Sequence, residues 1–325
     1  MTEIGIVGAG ALGGLFAGRL AARGHRISVL ARGATLSAIR RHGVRVQSGG
    51  QWTNAEVRSS DKAEELGVQE IVVVAVKAPS LAGVSAQISK LMNASTLVVP
   101  VLNGIPWWFG HGESAPPVWP RKTELERLLS VDIDTASVIG CVAYPSCSNP
   151  EPGVTVHASG NRIVLGEATG GDTVRAARLA RIFNEAGFEA ATTGDIRAEV
   201  WRKLLGNICF NPVSLLVGTT TDKLIDDPRT HTLFAAMMNE MLSLAKALFI
   251  NVDVVAEERL ALTRTLGSVK TSMLQDAEAG RPVEIEAIIG AVVGIAQAVK
   301  VDIPYIRAVH ALAYQRADVL GILPR

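Results

Sequence analysis

A helix-like stretch in the second half of the chain carries one lysine and two asparagines at regular spacing. Lys203, Asn207 and Asn211 occupy positions i, i+4 and i+8, so they share one helix face. Leu204, Phe210 and most other neighbours are apolar, and asparagine is a poor helix former. A solvated face would be wider and more charged, so the pattern favours a functional stripe over a surface stripe. An ammonium group there could stabilise and protonate an oxygen that gains negative charge.

A glycine-rich sequence near the N-terminus predicts a site for a dinucleotide. It matches the pattern GxGxxG and reads Gly8, Ala9, Gly10, Ala11, Leu12, Gly13. An apolar, strand-like segment precedes it and a helical segment follows, which is the context that the motif requires. The first glycine permits a tight turn, the second lets the pyrophosphate approach the backbone, and the third packs helix against strand. A glycine-rich turn that binds nothing is the alternative, and the correctly spaced strand and helix argue against it.

The residues after the second predicted strand indicate which dinucleotide is bound. A site for NAD usually has Asp or Glu there, to bind the ribose 2′-OH. Here Leu30 is followed by Ala31 and Arg32, and the chain has no acidic residue between Glu3 and Glu56. Arg32 offers a planar, permanently charged group to a 2′-phosphate. We therefore predict NADP(H), with a solvated surface arginine as the alternative reading of Arg32.

Two polar residues directly follow predicted strands of the same sheet. Lys77 follows the strand Ile71–Val76, and Asn103 follows the strand Thr96–Leu102. Ligands of open α/β sheets bind at the carboxyl ends of the strands. We therefore expect both residues to contact cofactor or substrate, although either could be a capping or surface residue.

A further polar cluster precedes a helix that we predict over residues 282–299. Pro282 is typical of a first helical position, and Glu284 would then lie in the first turn, where the helix dipole favours a carboxylate. This spacing alone assigns no catalytic role to Glu284. Gln275 and Asp276, in the preceding segment, could simply cap a helix.

Composition excludes several classes of function. The 325 residues include 32 basic and 31 acidic side chains, for a net charge of +1, so no global field attracts nucleic acid or a membrane surface. There is no apolar run of about 18 residues and no basic leader at the N-terminus. The three cysteines are scattered without a CxxC pair, and the six histidines without an HxxH pair. We therefore expect a cytoplasmic protein without disulfides or a metal site.

The order of the predicted elements divides the chain in two. Strands alternate with helices up to about residue 192, which predicts an α/β Rossmann domain with a doubly wound, mostly parallel sheet. The remainder is helical almost to the end, which predicts an all-α domain. We place the NADP-binding domain at residues 1–193 and the helical substrate domain at 194–325. A tryptophan-rich segment, 105–128, is read as a loop near the active site, a subunit contact or a surface insertion, and a homodimer is plausible.

Five segments together resemble the ketopantoate reductase (2-dehydropantoate 2-reductase) family. They are GAGALG at 8–13, VKA at 76–78, LNG at 102–104, WRKLLGNICFNP at 201–212 and KTSMLQD with EIE between 270 and 286. These segments occur in the order found in the family and span nearly the whole chain. The combination is therefore far more specific than the glycine motif alone.

The resemblance implies an NADPH-dependent reduction of ketopantoate to pantoate, a step toward pantothenate and coenzyme A. It also implies roles for particular residues. These are Lys203 as the general acid; Asn207 and Asn211 as ligands of the substrate or of the lysine; Ser272 as a substrate contact; Glu284 as a residue that holds substrate and lysine; and Lys77 and Asn103 at the nicotinamide end of the site.

Two features depart from the family pattern. A further asparagine on the substrate side is Thr221 here, and the tryptophan-rich segment is longer than in compact members. Both leave open a second reading, an NADPH-dependent reductase of another branched or aromatic 2-oxo acid. A non-catalytic NADP(H) sensor is a third reading, and the intact Lys203 argues against it because a sensor needs no proton donor.

Overall fold

The computed structural model describes residues 1–112, 115–119 and 133–324, and it divides into two units. The first comprises Met1–Leu102 with residues 111–112 and 133–196. The second comprises Asn103–Gly110 with residues 115–119 and 197–324. The short segment Asn103–Gly110 therefore belongs to the helical unit, although it directly follows a strand region of the first unit.

Twelve described strands lie in the first unit. They are β1 (Glu3–Val7), β2 (Arg26–Leu30), β3 (Val44–Ser48), β4 (Gln51–Ala55), β5 (Arg58–Ser60), β6 (Ile71–Val74), β7 (Leu97–Pro100), β8 (Ile139–Ala143), β9 (Ser146–Ser148), β10 (Val154–Ser159), β11 (Arg162–Glu167) and β12 (Glu189–Thr192). Five of them form a fully parallel sheet in the order β5-β2-β1-β6-β7. β1, the first strand in the chain, lies in the middle of the sheet, and the strand order changes direction beside it, as in dinucleotide-binding folds. The expected Rossmann domain is confirmed.

The central strands are apolar because both faces of the sheet are covered. All four residues of β6 are buried, and Ile4 of β1 pairs with Ile27 of β2 on one side and Ile71 of β6 on the other. A parallel strand buried on both faces shows no alternation of polar and apolar residues. This explains why the run of β-branched residues was the clearest strand signal in the sequence.

Two smaller sheets complete the first unit. One has the order β4-β3-β10-β9, and the other the order β12-β11-β8. An isolated parallel bridge between Val98 and Val138 links β7 to the segment that enters β8. Phe16, on the first helix, packs edge-on against Phe183 and stacks on Phe188, with ring centroids 5.2 and 4.5 Å away.

Five described helices belong to the first unit: α1 (Ala11–Ala21), α2 (Gly33–His42), α3 (Ala63–Leu66), α4 (Leu81–Lys90) and α5 (Val174–Glu185). The helices from Ile196 onward are α6 (Ile196–Val217), α7 (Thr221–Asp226), α8 (Pro228–Ala247), α9 (Ala256–Arg264), α10 (Ser272–Glu278), α11 (Ala291–Ala298) and α12 (Pro304–Val319). The expected all-α second domain is therefore confirmed. No helix in the described ranges is long and apolar enough to cross a membrane.

Helix α6 is the longest and carries the lysine–asparagine stripe. The sequence pattern predicts a helix over residues 196–211, and the observed helix continues through Pro212 to Val217. Proline lacks the N–H that would bond four residues back, so the helix is weakened next to Asn211. Trp201 is fully buried and donates a hydrogen bond of 3.2 Å from Nε1 to the Met241 carbonyl, which fixes α6 to α8.

The helix predicted over residues 282–299 is wrong at its start. Pro282 and Glu284 precede the helical residues, a π-helical turn covers Glu286–Gly290, and α11 follows. Of the tryptophan-rich segment, residues 113–114 and 120–132 lie outside the described part of the chain. Within the described part, Trp107–Gly110 form a 3₁₀ turn.

Candidate active site

The glycine loop lies between β1 and α1. Gly8 has φ +89°, and a Cβ there would lie 2.7 Å from Val76 Cγ1. A Cβ on Gly13 would overlap the Gly8 carbonyl, whereas one on Gly10 would meet no protein atom within 4 Å. The first and third glycines are thus required by the protein's own packing, and the space beside the second is open. Gly10 caps α1 without a side chain, so the N–H groups of Ala11, Leu12 and the rest of the first turn are available to phosphate.

The charge around this loop suits an anion. The first turn of α1 contains no acidic residue. Arg32 lies two residues beyond β2 and is the exposed N-cap residue of α2. None of the described carboxylates pairs with Arg32. These residues fit a dinucleotide, whose phosphates they would hold through backbone N–H groups.

Lys77 lies in the first unit, three residues beyond β6. It is half-buried and caps the 3₁₀ turn Ala78–Ser80, in which the Ser80 N–H donates to the Lys77 carbonyl at 2.9 Å. The structure therefore places it at the carboxyl end of a central strand, where a ligand of a parallel sheet binds.

Three polar side chains meet in the second unit. Lys203 Nζ donates a hydrogen bond of 2.9 Å to Asn103 Oδ1. The amide nitrogen of the same Asn103 donates toward Glu284 Oε2 at 3.4 Å. All three residues are half-buried. Lys203 is therefore held by an amide that is itself oriented by a carboxylate.

From Lys203 toward the C-terminus of α6, the residues of the stripe become progressively more buried. Asn207 is half-buried and only 5% of Asn211 is exposed. Neither side-chain amide has a hydrogen-bond partner in the described part of the chain. Neither amide is among the fully buried side-chain atoms without a partner, so both keep some access for a ligand. The stripe is therefore not a solvated surface, and its amides are available to a ligand.

Two hydroxyl groups connect the segment that carries Ser272 to α6 beside Asn211. Ser272 is exposed and is the first residue of α10. Ser214 Oγ donates to the Asn211 carbonyl at 3.0 Å and contacts Thr271 Oγ1 at 2.6 Å. Since the Ser214 proton is used, Thr271 donates in that contact, and its oxygen accepts from the Leu274 N–H at 3.2 Å. The start of α10 is thus tied to α6 one residue from Ser272.

The sequence did not reveal two parts of this site. The contacts of Asn103 with Lys203 and Glu284 were not predicted from the sequence. Thr271 was part of the polar cluster but had no assigned role, and Ser214 was not singled out. A threonine directly before a helix is a capping signal that could have identified Thr271.

Thr221, which stands where the family often has a substrate-side asparagine, is bonded within the protein. Its hydroxyl donates to the Gly267 carbonyl at 3.2 Å and its N–H to the Val269 carbonyl at 2.9 Å. Only 5% of the residue is exposed. In this structure Thr221 fixes the start of α7 to the loop before α10.

The cysteines are free thiols, of which Cys141 and Cys209 are buried and Cys147 is half-buried. Cys209, on α6, is fully buried and its Sγ faces the Phe234 carbonyl at 3.8 Å. Burial raises the pKa of Cys209, and it raises that of Cys147 to about 12 although Arg19 acts in the opposite direction. A thiol with a raised pKa is a poor nucleophile and a poor metal ligand. Among the described residues, no group of three or more His, Cys, Asp or Glu could hold a metal ion.

Comparison with known proteins identifies the family of this chain. Residues 4–170 match the family model for ketopantoate reductase PanE/ApbA, and residues 195–317 match the model for the C-terminal part of the same family. The chain belongs to the ketopantoate reductase family. A curated 2-dehydropantoate 2-reductase from Mesorhizobium japonicum is 40% identical over 328 residues, which cover 98% of this chain and 99% of the relative.

Solved structures show the same relationship. A crystal structure from Ralstonia solanacearum, whose proposed function is that of a ketopantoate reductase, has a TM-score of 0.93 and 38% identity over 99% of both chains. D-mandelate dehydrogenase in complex with NADH and anilino(oxo)acetate shares the fold, with a TM-score of 0.85 at 21% identity over 98% of this chain and 99% of that one. The protein is thus a NAD(P)-dependent oxidoreductase of the ketopantoate reductase family.

Proposed function

We propose that this protein reduces ketopantoate to pantoate with NADPH, and that Lys203 is the general acid. The observation that carries the proposal is the hydrogen-bonded group of Lys203, Asn103 and Glu284 at the head of the α6 stripe. The 40% identical curated relative supports the choice of substrate.

The arrangement suits protonation of a ketone oxygen. NADPH, when bound, supplies a hydride to the carbonyl carbon. The carbonyl oxygen gains negative charge in that reaction, and an ammonium within hydrogen-bond reach both stabilises it and donates a proton. Asn103 Oδ1 accepts one N–H of Lys203 and so fixes the direction of the remaining two. Glu284 orients Asn103 and, in this proposal, also contacts substrate.

The remaining polar groups of the substrate need partners on the protein. We assign this role to the amides of Asn207 and Asn211, which lack partners in the described part of the chain, and to the exposed hydroxyl of Ser272. Each hydrogen bond from these amides to a bound polar ligand would contribute about 0.5–1.5 kcal/mol. Such groups discriminate strongly against ligands that cannot form the hydrogen bonds.

We assign the cofactor to the glycine loop of the first unit. The backbone at residues 8–13 would bind the pyrophosphate, and Arg32 the 2′-phosphate of NADP(H). Lys77 and Asn103 are proposed to contact the nicotinamide end. The exposed guanidinium of Arg32 and the lack of a described carboxylate beside it support NADP(H) over NAD(H).

Steady-state assays with a panel of substrates test the proposal. NADPH oxidation is followed with ketopantoate, pyruvate, 2-oxoisovalerate and phenylglyoxylate, and each assay is repeated with NADH. We expect the highest kcat/KM with ketopantoate and NADPH. A clear preference for another 2-oxo acid would overturn the choice of substrate. Tight NADPH binding without turnover of any ketone would overturn the enzymatic function.

A further inference from the structure

A π-helical turn begins two residues after Glu284. In the turn Glu286–Gly290, the N–H of Ala291 bonds to the Glu286 carbonyl, five residues back instead of four. Such turns are rare, occur mostly as single turns joined to α-helices, and are frequent at functional sites. The π-helical turn lies between Glu284 and the regular helix α11. The wider path of its backbone therefore affects the position of Glu284.

The segment that carries Asn103 is docked on this turn. The Ile105 N–H donates to the Ala287 carbonyl oxygen at 3.4 Å. Gly104, with φ +79°, lies against the same carbonyl, and a Cβ there would overlap its oxygen and lie 2.7 Å from its carbon. Because the obstacle is backbone, no side-chain movement could make room for it. The docking therefore requires glycine at position 104.

The π-helical turn is itself held by residues near the end of the chain. His310 Nε2, on α12, lies 3.0 Å from Glu286 Oε1. The Glu286 carboxylate occupies the space beside Gly290, where a Cβ would lie 2.7 Å from the carboxylate carbon. The Val283 N–H, just before the turn, donates to the Ile322 carbonyl at 3.0 Å.

We propose that the π-helical turn Glu286–Gly290 positions Asn103, and through it the Lys203 ammonium, by docking Gly104 and Ile105 on the Ala287 carbonyl. The turn holds both partners of the hydrogen bond between Asn103 and Glu284. Glu284 lies two residues before the turn, and Asn103 lies one residue before Gly104, which packs on it. Gly104 is a positioning residue that acts through Asn103. The inference rests on the proposed role of Lys203 as proton donor.

A pair of glycine variants tests the docking. Gly104→Ala introduces a positive-φ alanine and the collision with Ala287. Gly267→Ala introduces only the positive-φ alanine, because Gly267 has φ +74° and no atom within 4 Å of its Cβ position. We expect kcat of Gly104→Ala to be about 100-fold below that of Gly267→Ala, the loss typical of a misplacement of about 1 Å, with equal KM for NADPH. Equal kcat values would overturn the proposal.

A double-mutant cycle shows whether the effect passes through Asn103. Adding Gly104→Ala to Asn103→Ala should change kcat by less than about two-fold, since the group that Gly104 positions is already absent. A merely structural role would give the full loss again, and that result would contradict the proposal.

A milder pair covers the case in which Gly104→Ala does not fold. Gly290→Ala displaces only the end of the Glu286 side chain, and Gly294→Ala, on α11, meets no atom within 4 Å. Both gain helix propensity. We expect kcat of Gly290→Ala to be about ten-fold below that of Gly294→Ala. Equal kcat values for the two variants would contradict the positioning role of the π-helical turn.

Lys203→Ala separates this inference from the function on which it rests. Retention of kcat in Lys203→Ala would overturn the proposed general acid. Loss of kcat in Lys203→Ala, with full kcat in Gly104→Ala, would overturn only the positioning by the π turn.

Discussion

The ammonium of Lys203 donates a hydrogen bond of 2.9 Å to the side-chain oxygen of Asn103, a residue 100 positions earlier in the chain. Asn103 in turn donates toward Glu284, so one amide connects the lysine to a carboxylate. Lysine has a flexible four-carbon side chain. Because the hydrogen bond to Asn103 already fixes the ammonium group, less conformational freedom is lost on reaching the transition state.

Removal of this amide should slow the reaction. We expect Asn103→Ala to lower kcat roughly 10- to 100-fold, because Lys203 loses the acceptor that directs it. Asn239→Ala, an exposed asparagine on α8 of the same unit, is the control and should leave kcat unchanged. Steady-state kinetics with ketopantoate measure both variants, and an unchanged kcat in Asn103→Ala would contradict the positioning role.

Arg32 should determine the choice of dinucleotide. Hydrogen bonds to a charged group contribute about 1.5–3 kcal/mol, so Arg32→Ala should raise KM for NADPH roughly 10- to 100-fold and leave KM for NADH nearly unchanged. Arg40→Ala removes an exposed arginine near the other end of α2 and serves as the control. A parallel loss with both dinucleotides would show that Arg32 does not bind the 2′-phosphate.

Asn211 and Ser214, one turn apart on α6, should respond in opposite ways. Asn211→Leu removes an amide without a described partner, so the free energy of unfolding should stay equal or rise while kcat/KM falls about 10- to 100-fold. Ser214→Ala breaks two hydrogen bonds and should lower the free energy of unfolding by about 1–3 kcal/mol. Urea denaturation and kinetics measure both quantities. A marked loss of stability in Asn211→Leu would indicate a structural amide.

The thiols of Cys147 and Cys209 should resist alkylation. The pKa of Cys147 is raised to about 12, so at pH 8 the thiol is almost wholly protonated, and the reactive thiolate forms only as the pH rises toward that value. Burial acts in the same direction on Cys209. We expect iodoacetamide at pH 8 to leave both unmodified in the folded protein and to modify both in urea, as read by peptide mass spectrometry. Rapid labelling of Cys209 in the folded state would contradict its burial.

Local features of the site could be predicted from the sequence. The glycine loop follows from a short motif between an apolar strand and a helix, and the spacing of Lys203, Asn207 and Asn211 places them on one helix face. Both depend on residues that are close in the chain. The fold class likewise follows from the alternation of strands and helices and its end near residue 192.

Contacts between distant segments could not be predicted. The approach of Asn103 to Lys203 depends on a loop that joins the helical unit, and no local pattern encodes it. Pro282 is typical of a first helical position, yet the helical residues begin after Glu284, because a π turn of five residues leaves no distinct periodicity in the sequence. Pro212 suggested a helix end, whereas packing of the buried residues around it maintains α6 to Val217.

The most direct test of the account is a single-turnover measurement on Lys203→Ala with bound NADPH and ketopantoate. We predict that the rate of NADPH oxidation falls about 10²- to 10⁴-fold, the contribution of a positioned general acid, while the Kd for NADPH stays within about two-fold. Lys246→Ala, an exposed lysine on α8, should retain the full rate. An unchanged rate in Lys203→Ala, or a loss of NADPH binding as large as the loss of rate, would contradict the assignment of Lys203 as the proton donor.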